Sequence, residues 1–423
     1  MSAISRRFGL LWNPRIRLCV LLGFTSGLPL YVLFTLVPVW LRSAHVDLGA
    51  VGLFALVQFP YTWKFLWAPL LDRYQIPFLG RRRGIMLITQ ICLVGLIAVI
   101  GRLDPLSQLA AISVCSALLA FASATLDIAI DAFRRELLHD DELGPGNGVH
   151  VTAYKLSSLV PGALALVLLD RISADKVFLI TALFMLPGIA MALLVDEPGA
   201  GLFRPRTLKE AVIEPFREFL QRGGVKQGLL ILLFMLLYKL GDALATSLSS
   251  AFYLDLGFTR TQIGLIAKNV GLWASVIGGI AGTAWMVVLG INRALWVFGV
   301  LQIGAILAFA WLGHRGADPF ALAITIGSES FVSVGLGTAA LSAYLARSSD
   351  VRYTATQYAL FSSLVAVPRT LASAATGFIV EAIGWVPFFE LCAVLSVPAL
   401  LLLPWVAPWR RGESDDPAPP GAR

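Results

Sequence analysis

Acidic and basic side chains recur inside stretches of this chain that are otherwise apolar. Asp127 and Asp131 lie four residues apart, so on a helix they share one face. Two carboxylates in a poorly solvated site repel each other as anions, and at least one would hold a proton at neutral pH. The alternative is a structural ion pair with a nearby cation, for which the candidates are Lys64, Lys155 and Arg134.

A second group of ionisable side chains occurs in the C-terminal half. Lys239 and Asp242 are three residues apart and can neutralise each other on one helix, or can face a cavity if Gly241 lets the helix bend. Glu329 lies among serines and glycines, where it could carry a proton or pair with Lys268 or Arg369. We therefore predict that the proton-coupling carboxylates are among Asp127, Asp131, Asp242 and Glu329.

Further polar side chains could bind a ligand. Amide and cationic donors suit a solute that bears hydroxyl, amide and carboxylate groups, and they include Lys268, Asn269, Gln357 and Arg369. Tyr61, Trp63 and Trp67 surround Lys64, and such aromatic rings either stack on sugars or, as we favour, pack between helices.

The segment from Asp72 to Gly84 combines one acid with a basic cluster. Asp72 and Arg73 are followed by Arg82 and Arg83 at the start of the next apolar stretch. An acid beside bases at helix ends can close a gate by ion pairing and by contact with neighbouring helix termini. The alternative is that these charges only set membrane topology.

The composition of the chain places these charges in a membrane. Of 423 residues, 57% are hydrophobic and 14% charged, and the mean hydropathy is +0.79. A bilayer core of roughly 30 Å needs about 20 apolar residues in a helix. We predict an all-α membrane protein with twelve spans: 17–41, 49–71, 84–102, 107–133, 147–169, 175–195, 226–254, 260–289, 292–313, 318–346, 354–381 and 384–408.

The arrangement of these spans predicts two bundles of six helices. Residues 1–195 form the first, and residues 226–408 form the second. Residues 196–225 separate them as a linker in which apolar residues recur near helical spacing, so we expect an amphipathic helix on the inner membrane face rather than a solvated linker. We expect the tail, residues 409–423, to be disordered. Most of the 33 Lys and Arg fall on the side of both termini, which the positive-inside rule places in the cytoplasm.

Several other classes of protein have little support. No Gly-Lys dipeptide occurs, so there is no Walker A loop, and HExxH and GxSxG are absent. The four cysteines lie singly in apolar runs, and the four histidines lack ligand spacing. The net charge of +7 is explained by topology, so nucleic-acid binding is not expected. We expect no enzyme activity, no metal and no cofactor.

With these residues in view, the chain resembles the AmpG-type muropeptide permeases of the major facilitator superfamily. The loop with Asp72, Arg73, Arg82 and Arg83 is similar to the superfamily's signature loop, with a longer spacing. The more specific resemblance lies in Gly23–Pro29, Pro60–Pro69, Gly80–Gly84, Asp127–Ala132, Tyr238–Asp242, Thr338 and Ala355–Gln357. It departs from the family pattern at Leu126, at Lys155 and in the order of Lys268 and Asn269.

The resemblance implies the major facilitator fold and proton-driven import of anhydro-muropeptides through the inner membrane of a Gram-negative bacterium. Muropeptide supply of this kind bears on the induction of β-lactamase. The resemblance also assigns polar sites by position: Lys64, Asp127, Asp131, Lys239, Asp242, Glu329 and Gln357.

Our leading hypothesis from the sequence is therefore a monomeric proton symporter that works by alternating access. The alternative is import of another polar solute, such as a siderophore, a short peptide or an acyl-coenzyme compound. The expected partners are a sugar-peptide solute, protons and the lipid bilayer. The predicted solute-binding residues are Tyr61, Lys64, Lys155, Tyr238, Lys239, Lys268, Asn269, Gln357 and Arg369.

Overall fold

A computed structural model describes residues 13–46, 59–76, 79–198 and 207–409. The N-terminal residues 1–12, part of the second predicted span and the tail from residue 410 lie outside the described residues, and so do the side chains of Lys268 and Arg369. The predictions made for these parts are therefore neither confirmed nor contradicted.

The described residues are almost wholly helical, with one isolated bridge between Ile76 and Gly80. The first six helices are α1 (Pro14–Ser43), α2 (Phe59–Trp63, Lys64–Leu66 and Ala68–Arg73), α3 (Arg82–Ile100), α4 (Leu109–Leu137), α5 (Leu143–Leu169) and α6 (Ala174–Leu194). A linker helix (Leu208–Arg222) precedes α7 (Val225–Asp255), α8 (260–289), α9 (291–315), α10 (Pro319–Ser348), α11 (Thr354–Ile383) and α12 (Trp385–Val406).

The lengths and hydropathy of these helices fit a bilayer. In the described part of the chain, nine helices are long and apolar enough to cross a membrane. One of them, Gln262–Arg315, holds two crossings, because Gly290 has a φ of 76° and a ψ of 166° and breaks the helix between α8 and α9. With α2 and α11, which are outside those nine, the total is the predicted twelve.

Two helices extend about one turn further than the sequence predicted. The apolar runs and turn signals predicted that α4 ends at residue 133, just before Arg134 and Arg135, and that α5 begins at residue 147. Instead α4 continues to Leu137 and α5 begins at Leu143. The reason is that both arginines are buried, Arg134 against Tyr358 of α11 and Arg135 against Asp140 in the turn after α4, so neither charge marks the end of the span.

The two bundles interlock at one end of the molecule. We call this end the terminal face, because it carries Asn13 and Trp409, the first and last described residues. There Ala355 of α11 belongs to the apolar core of the first bundle, and Leu143 of α5 belongs to that of the second. The cores of the two bundles are therefore continuous at the terminal face.

The linker helix spans Leu208–Arg222, between the two bundles. Thr207 caps its start by accepting a hydrogen bond of 3.1 Å from the backbone N–H of Glu210. Phe219 is buried and its ring centroid lies 5.0 Å from that of Phe361 in α11, whereas Phe216 is exposed. The helix thus packs one side on the second bundle and leaves other apolar side chains uncovered by protein.

Small residues bring α5 and α8 into close contact across the bundles. A Cβ atom on Gly148 would lie 2.0 Å from Oγ1 of Thr283 and 3.0 Å from its Cα, and one on Gly279 would lie 2.5 Å from Oγ1 of Thr152. Such small residues let helix backbones approach closely in membranes. This pair of helices therefore depends on having no side chain at these positions.

We expect Gly148→Ala to destabilise the protein by about 1–3 kcal/mol, because the new methyl group forces the backbone of α8 away. The matched control is Gly95→Ala in α3, where an added Cβ meets nothing within 4 Å. Thermal unfolding in detergent measures both. Equal midpoints for the two variants would contradict this account of the α5–α8 contact.

Candidate functional site

Charged side chains of the first bundle form a connected group between α2 and α4. Lys64 Nζ lies 3.7 Å from Oδ2 of Asp131, and Arg134 Nη2 donates to Oδ1 of the same carboxylate at 2.8 Å. One turn away on α4, Asp127 accepts a hydrogen bond of 2.5 Å from the hydroxyl of Ser26 on α1. The structural pairing of Asp131 with Lys64 and Arg134 is thus present, while Asp127 has a hydroxyl partner.

A similar group forms in the second bundle. Lys239 Nζ lies 3.2 Å from Oδ2 of Asp242 and also donates to the backbone carbonyl of Ser333 in α10. Ser330–Gly337 is a π-helical stretch, a form that often marks functional sites in helices. Glu329 precedes this stretch and accepts a hydrogen bond of 3.2 Å from Ser330.

The second group lies within electrostatic range of the first bundle. Glu329 interacts electrostatically with Asp242 and Lys239 of its own bundle and with Lys155 of the first. The exposed fractions are small: 9% for the side chain of Lys64, 14% for Asp131, 12% for Lys239 and 14% for Asp242. These charges therefore point into the protein rather than towards lipid, where each would cost roughly 3 kcal/mol.

A buried ion-pair network closes the terminal face. Arg82 Nη2 lies 2.7 Å from both Asp72 Oδ1 and Glu136 Oε1, and its Nη1 donates to the carbonyl of Leu71 at 3.0 Å. Arg81 adds a second pair with Glu136 at 2.8 Å. Arg82, Asp72 and Glu136 are all fully buried as side chains, so each charge relies on the others for compensation.

The carboxylate of Asp72 also joins the two bundles. Its oxygens accept hydrogen bonds from the backbone N–H groups of Ala355 at 3.2 Å and Thr356 at 2.8 Å, and from the Thr356 hydroxyl at 2.7 Å. These N–H groups belong to the first turn of α11, which has no partner for them within its own helix. The negative charge also suits the positive end of the helix dipole.

The other predicted gate residues have different partners. Arg83 donates to the carbonyls of Ala192 and Leu193 at the end of α6. Arg73 lies over the ring of Tyr74, with Cζ 5.1 Å from the ring centroid. Arg83 thus links α3 to α6 within the first bundle, through backbone carbonyls rather than through an ion pair.

Several predicted solute-binding residues lie away from the charges between the bundles. Tyr238 is buried and donates to the carbonyl of Leu295 within the second bundle. Gln357 is bound to the linker helix through Glu218 at 2.7 Å and the carbonyl of Pro215 at 2.9 Å. In this conformation both side chains are occupied by these contacts and neither can reach a solute bound beside Lys64 or Lys239.

Two others have only local contacts. The side chain of Asn269 donates to the carbonyl of Leu265 one turn earlier in α8. The hydroxyl of Tyr61 is buried in α2 and has no hydrogen-bond partner within the described residues. Tyr61 lies near the first charge group, since Asp127 acts on it electrostatically, and its hydroxyl is directed towards Ser123 of α4.

Sequence reasoning missed three residues that the structure places in the closure. Glu136 pairs with both Arg81 and Arg82, Glu197 accepts from the backbone N–H groups at the start of α3, and Tyr358 binds Arg134 across the bundles. For Glu136 a signal existed, since a third acid follows Asp127 and Asp131 on α4 near the basic cluster.

Among the described residues, no group of three His, Cys, Asp or Glu could hold a metal ion.

Comparisons with known proteins agree with this arrangement. Residues 19–372 match the model of the Major Facilitator Superfamily. The anhydromuropeptide permease of Escherichia coli strain K12 is 39% identical over 394 residues, which cover 92% of this chain and 79% of that protein. An uncharacterized Haemophilus influenzae protein is 44% identical, covering 95% and 96%, and the putative transporter AmpG 4 of Rickettsia felis is 31% identical, covering 90% and 94%.

The chain belongs to the AmpG-type muropeptide permeases of the major facilitator superfamily. It is a membrane transport protein and not an enzyme, as its relatives are permeases. Solved structures agree on the fold: the E. coli fucose:proton symporter FucP gives a TM-score of 0.71 at 13% identity, covering 92% of this chain and 98% of that one. The human organic anion transporter MFSD10 gives 0.70 at 18%, covering 92% and 100%. The predicted family and fold class are confirmed.

We expect Asp72→Asn to weaken the closure of the terminal face by about 3 kcal/mol, because a neutral amide binds the N–H groups and the hydroxyl at the start of α11 less strongly than the carboxylate does. The population with an open terminal face should rise accordingly, measured as thiol labelling of a cysteine placed at the buried Ala355, in a background whose four native cysteines are replaced. Asp104→Asn, on an exposed loop where Asp104 accepts hydrogen bonds from Ser107, is the control. Unchanged labelling in Asp72→Asn would contradict a role for Asp72 in holding the bundles together.

Proposed function

We propose that this permease imports anhydro-muropeptides across the bacterial inner membrane and that proton movement drives the import. The observation that carries the proposal is the match to the E. coli anhydromuropeptide permease along 92% of this chain. The paired charges between the bundles support it, since such a solute bears carboxylates and amides that cations and carboxylates can bind.

The charges divide naturally between two tasks. We assign contact with the solute to the cations Lys64, Lys155 and Lys239, and we extend the assignment to Lys268, Asn269 and Arg369 on sequence grounds. Transfer of protons falls to Asp127, Asp131, Asp242 and Glu329. Among these we favour Asp127 and Glu329, because Asp131 and Asp242 already hold close ion pairs.

The direction of transport follows from alternating access, in which the space between the bundles opens to one side of the membrane at a time. In our proposal the terminal face is cytoplasmic, as its arginines suggest by the positive-inside rule, so both termini lie in the cytoplasm. The bundle contacts at that face then correspond to a state that loads solute from the periplasm. Opening of this closure would release the solute and the proton inside.

The first test of the proposal is uptake of labelled anhydro-muropeptide into membrane vesicles with and without a proton gradient. We expect accumulation that a protonophore abolishes. Uptake that ignores the protonophore would remove the proton coupling, and uptake of a siderophore or short peptide in place of the muropeptide would remove the assigned solute.

Neutral variants should separate proton transfer from solute binding. We expect Asp127→Asn or Glu329→Gln to lower uphill uptake by more than tenfold while exchange of solute across the membrane persists, because exchange needs no net proton movement. The control is Glu390→Gln, which alters an exposed carboxylate of α12. If both variants lose exchange as well as uphill uptake, these carboxylates bind solute or support the fold instead.

A further inference from the structure

Arg134 lies between the charge group of the first bundle and the closure of the terminal face. It is 1% exposed, near the end of α4. Its Nη2 donates both to Oδ1 of Asp131 at 2.8 Å and to the hydroxyl of Tyr358 on α11 at 2.9 Å. Its guanidinium carbon also lies 5.7 Å from the centroid of the Tyr358 ring.

The hydrogen bonds continue beyond Tyr358 and cross the bundles a second time. The hydroxyls of Tyr358 and Ser342 on α10 lie 3.0 Å apart. Ser342 also donates to the side-chain oxygen of Asn147 on α5, at 3.4 Å. One chain of contacts therefore runs from α2 and α4 of the first bundle, through α11 and α10 of the second, to α5 of the first.

The guanidinium of Arg134 depends on few acceptors. Its Nε and Nη1 atoms are buried and have no hydrogen-bond partner among the described residues. A buried cation that loses a partner is strongly destabilised, since nothing else solvates it. Asp131 and Tyr358 therefore both stabilise this charge, and a change in one hydrogen bond alters the strength of the other.

The carboxylate of Asp131 contacts two cations, Lys64 and Arg134. Its second oxygen, Oδ2, faces Lys64 at 3.7 Å, whereas Oδ1 faces Arg134. A carboxylate on a bound solute that draws Lys64 away leaves Asp131 to attract Arg134 alone. The guanidinium then moves towards Asp131 and away from Tyr358, which weakens a contact that holds α4 to α11.

We propose that Arg134 is a positioning residue that couples occupation of Lys64 to opening of the terminal face, with Tyr358 as its contact on the other bundle. This inference rests on the transport function proposed above and adds a residue pair to it. In the empty protein the pair favours closure, and a solute with a carboxylate releases it.

The direct test measures the distance between spin labels at Tyr74→Cys in the first bundle and Lys226→Cys in the second, in a background whose four native cysteines are replaced. Without solute, we expect Tyr358→Phe to raise the ratio of open to closed terminal face by about tenfold or more, the effect of losing one hydrogen bond to a charged group. No solute is needed for this measurement, so its outcome is independent of the identity of the transported compound.

The matched control is Tyr344→Phe. Tyr344 is equally buried, and its hydroxyl donates to the carbonyl of Val406 at 3.1 Å, wholly within the second bundle. Both variants lose a buried hydroxyl, but only Tyr358→Phe loses a hydrogen bond between the bundles. Equal distance distributions for the two variants would overturn the proposal, and thermal unfolding confirms that both are folded.

A double-mutant cycle then tests the coupling itself. We expect Asp131→Asn and Tyr358→Phe to shift the open-to-closed ratio by amounts that are not additive, because both act through the guanidinium of Arg134. Additive effects would show two independent contacts and reject the coupling role. Adding anhydro-muropeptide should raise the open-to-closed ratio of the wild-type protein and raise that of Tyr358→Phe by a smaller factor. If the ratio of the wild-type protein does not change, the assigned solute is rejected instead.

Discussion

A charge inside a bilayer must meet another charge, a hydrogen-bonding group or water, and the rest of this structure depends on that constraint. Two six-helix bundles offer one protected place for such groups, the space between them. Lys64 with Asp131 in the first bundle, and Lys239 with Asp242 in the second, are ion pairs largely shielded from the surface, at 3.7 and 3.2 Å. Such pairs are able to exchange partners with a solute or a proton.

The same constraint governs the closure at the terminal face. The first N–H groups of α11 lack partners within their own helix, and Asp72 of the other bundle supplies the acceptor. Asp72 in turn requires Arg82, and Arg82 requires Glu136. Separation of the bundles therefore breaks the three hydrogen bonds between Asp72 and α11 together, which favours a closure that is either formed or released as a unit.

The sequence predicted well what depends on local pattern and poorly what depends on distant partners. Bilayer thickness sets the length of apolar runs, so the spans were predicted to within about four residues, and the i, i+3 pair of Lys239 and Asp242 was among the predicted alternatives. Glu136 and Tyr358 escaped notice because their partners lie on other helices. The contacts of Tyr238 with Leu295 and of Gln357 with the linker helix were not predicted, because a sequence pattern does not tell which neighbour a side chain meets.

The position of Gln357 links the linker helix to the closure. Its amide is bound to Glu218 and to the carbonyl of Pro215 on the linker helix, while the preceding residue, Thr356, binds Asp72 of the first bundle. The start of α11 is thus held from two sides, by the first bundle and by the segment that joins the bundles. A movement of α11 that releases Asp72 must also strain or break the contacts of Gln357. The linker helix is therefore part of the closing structure and not only a connection between two halves.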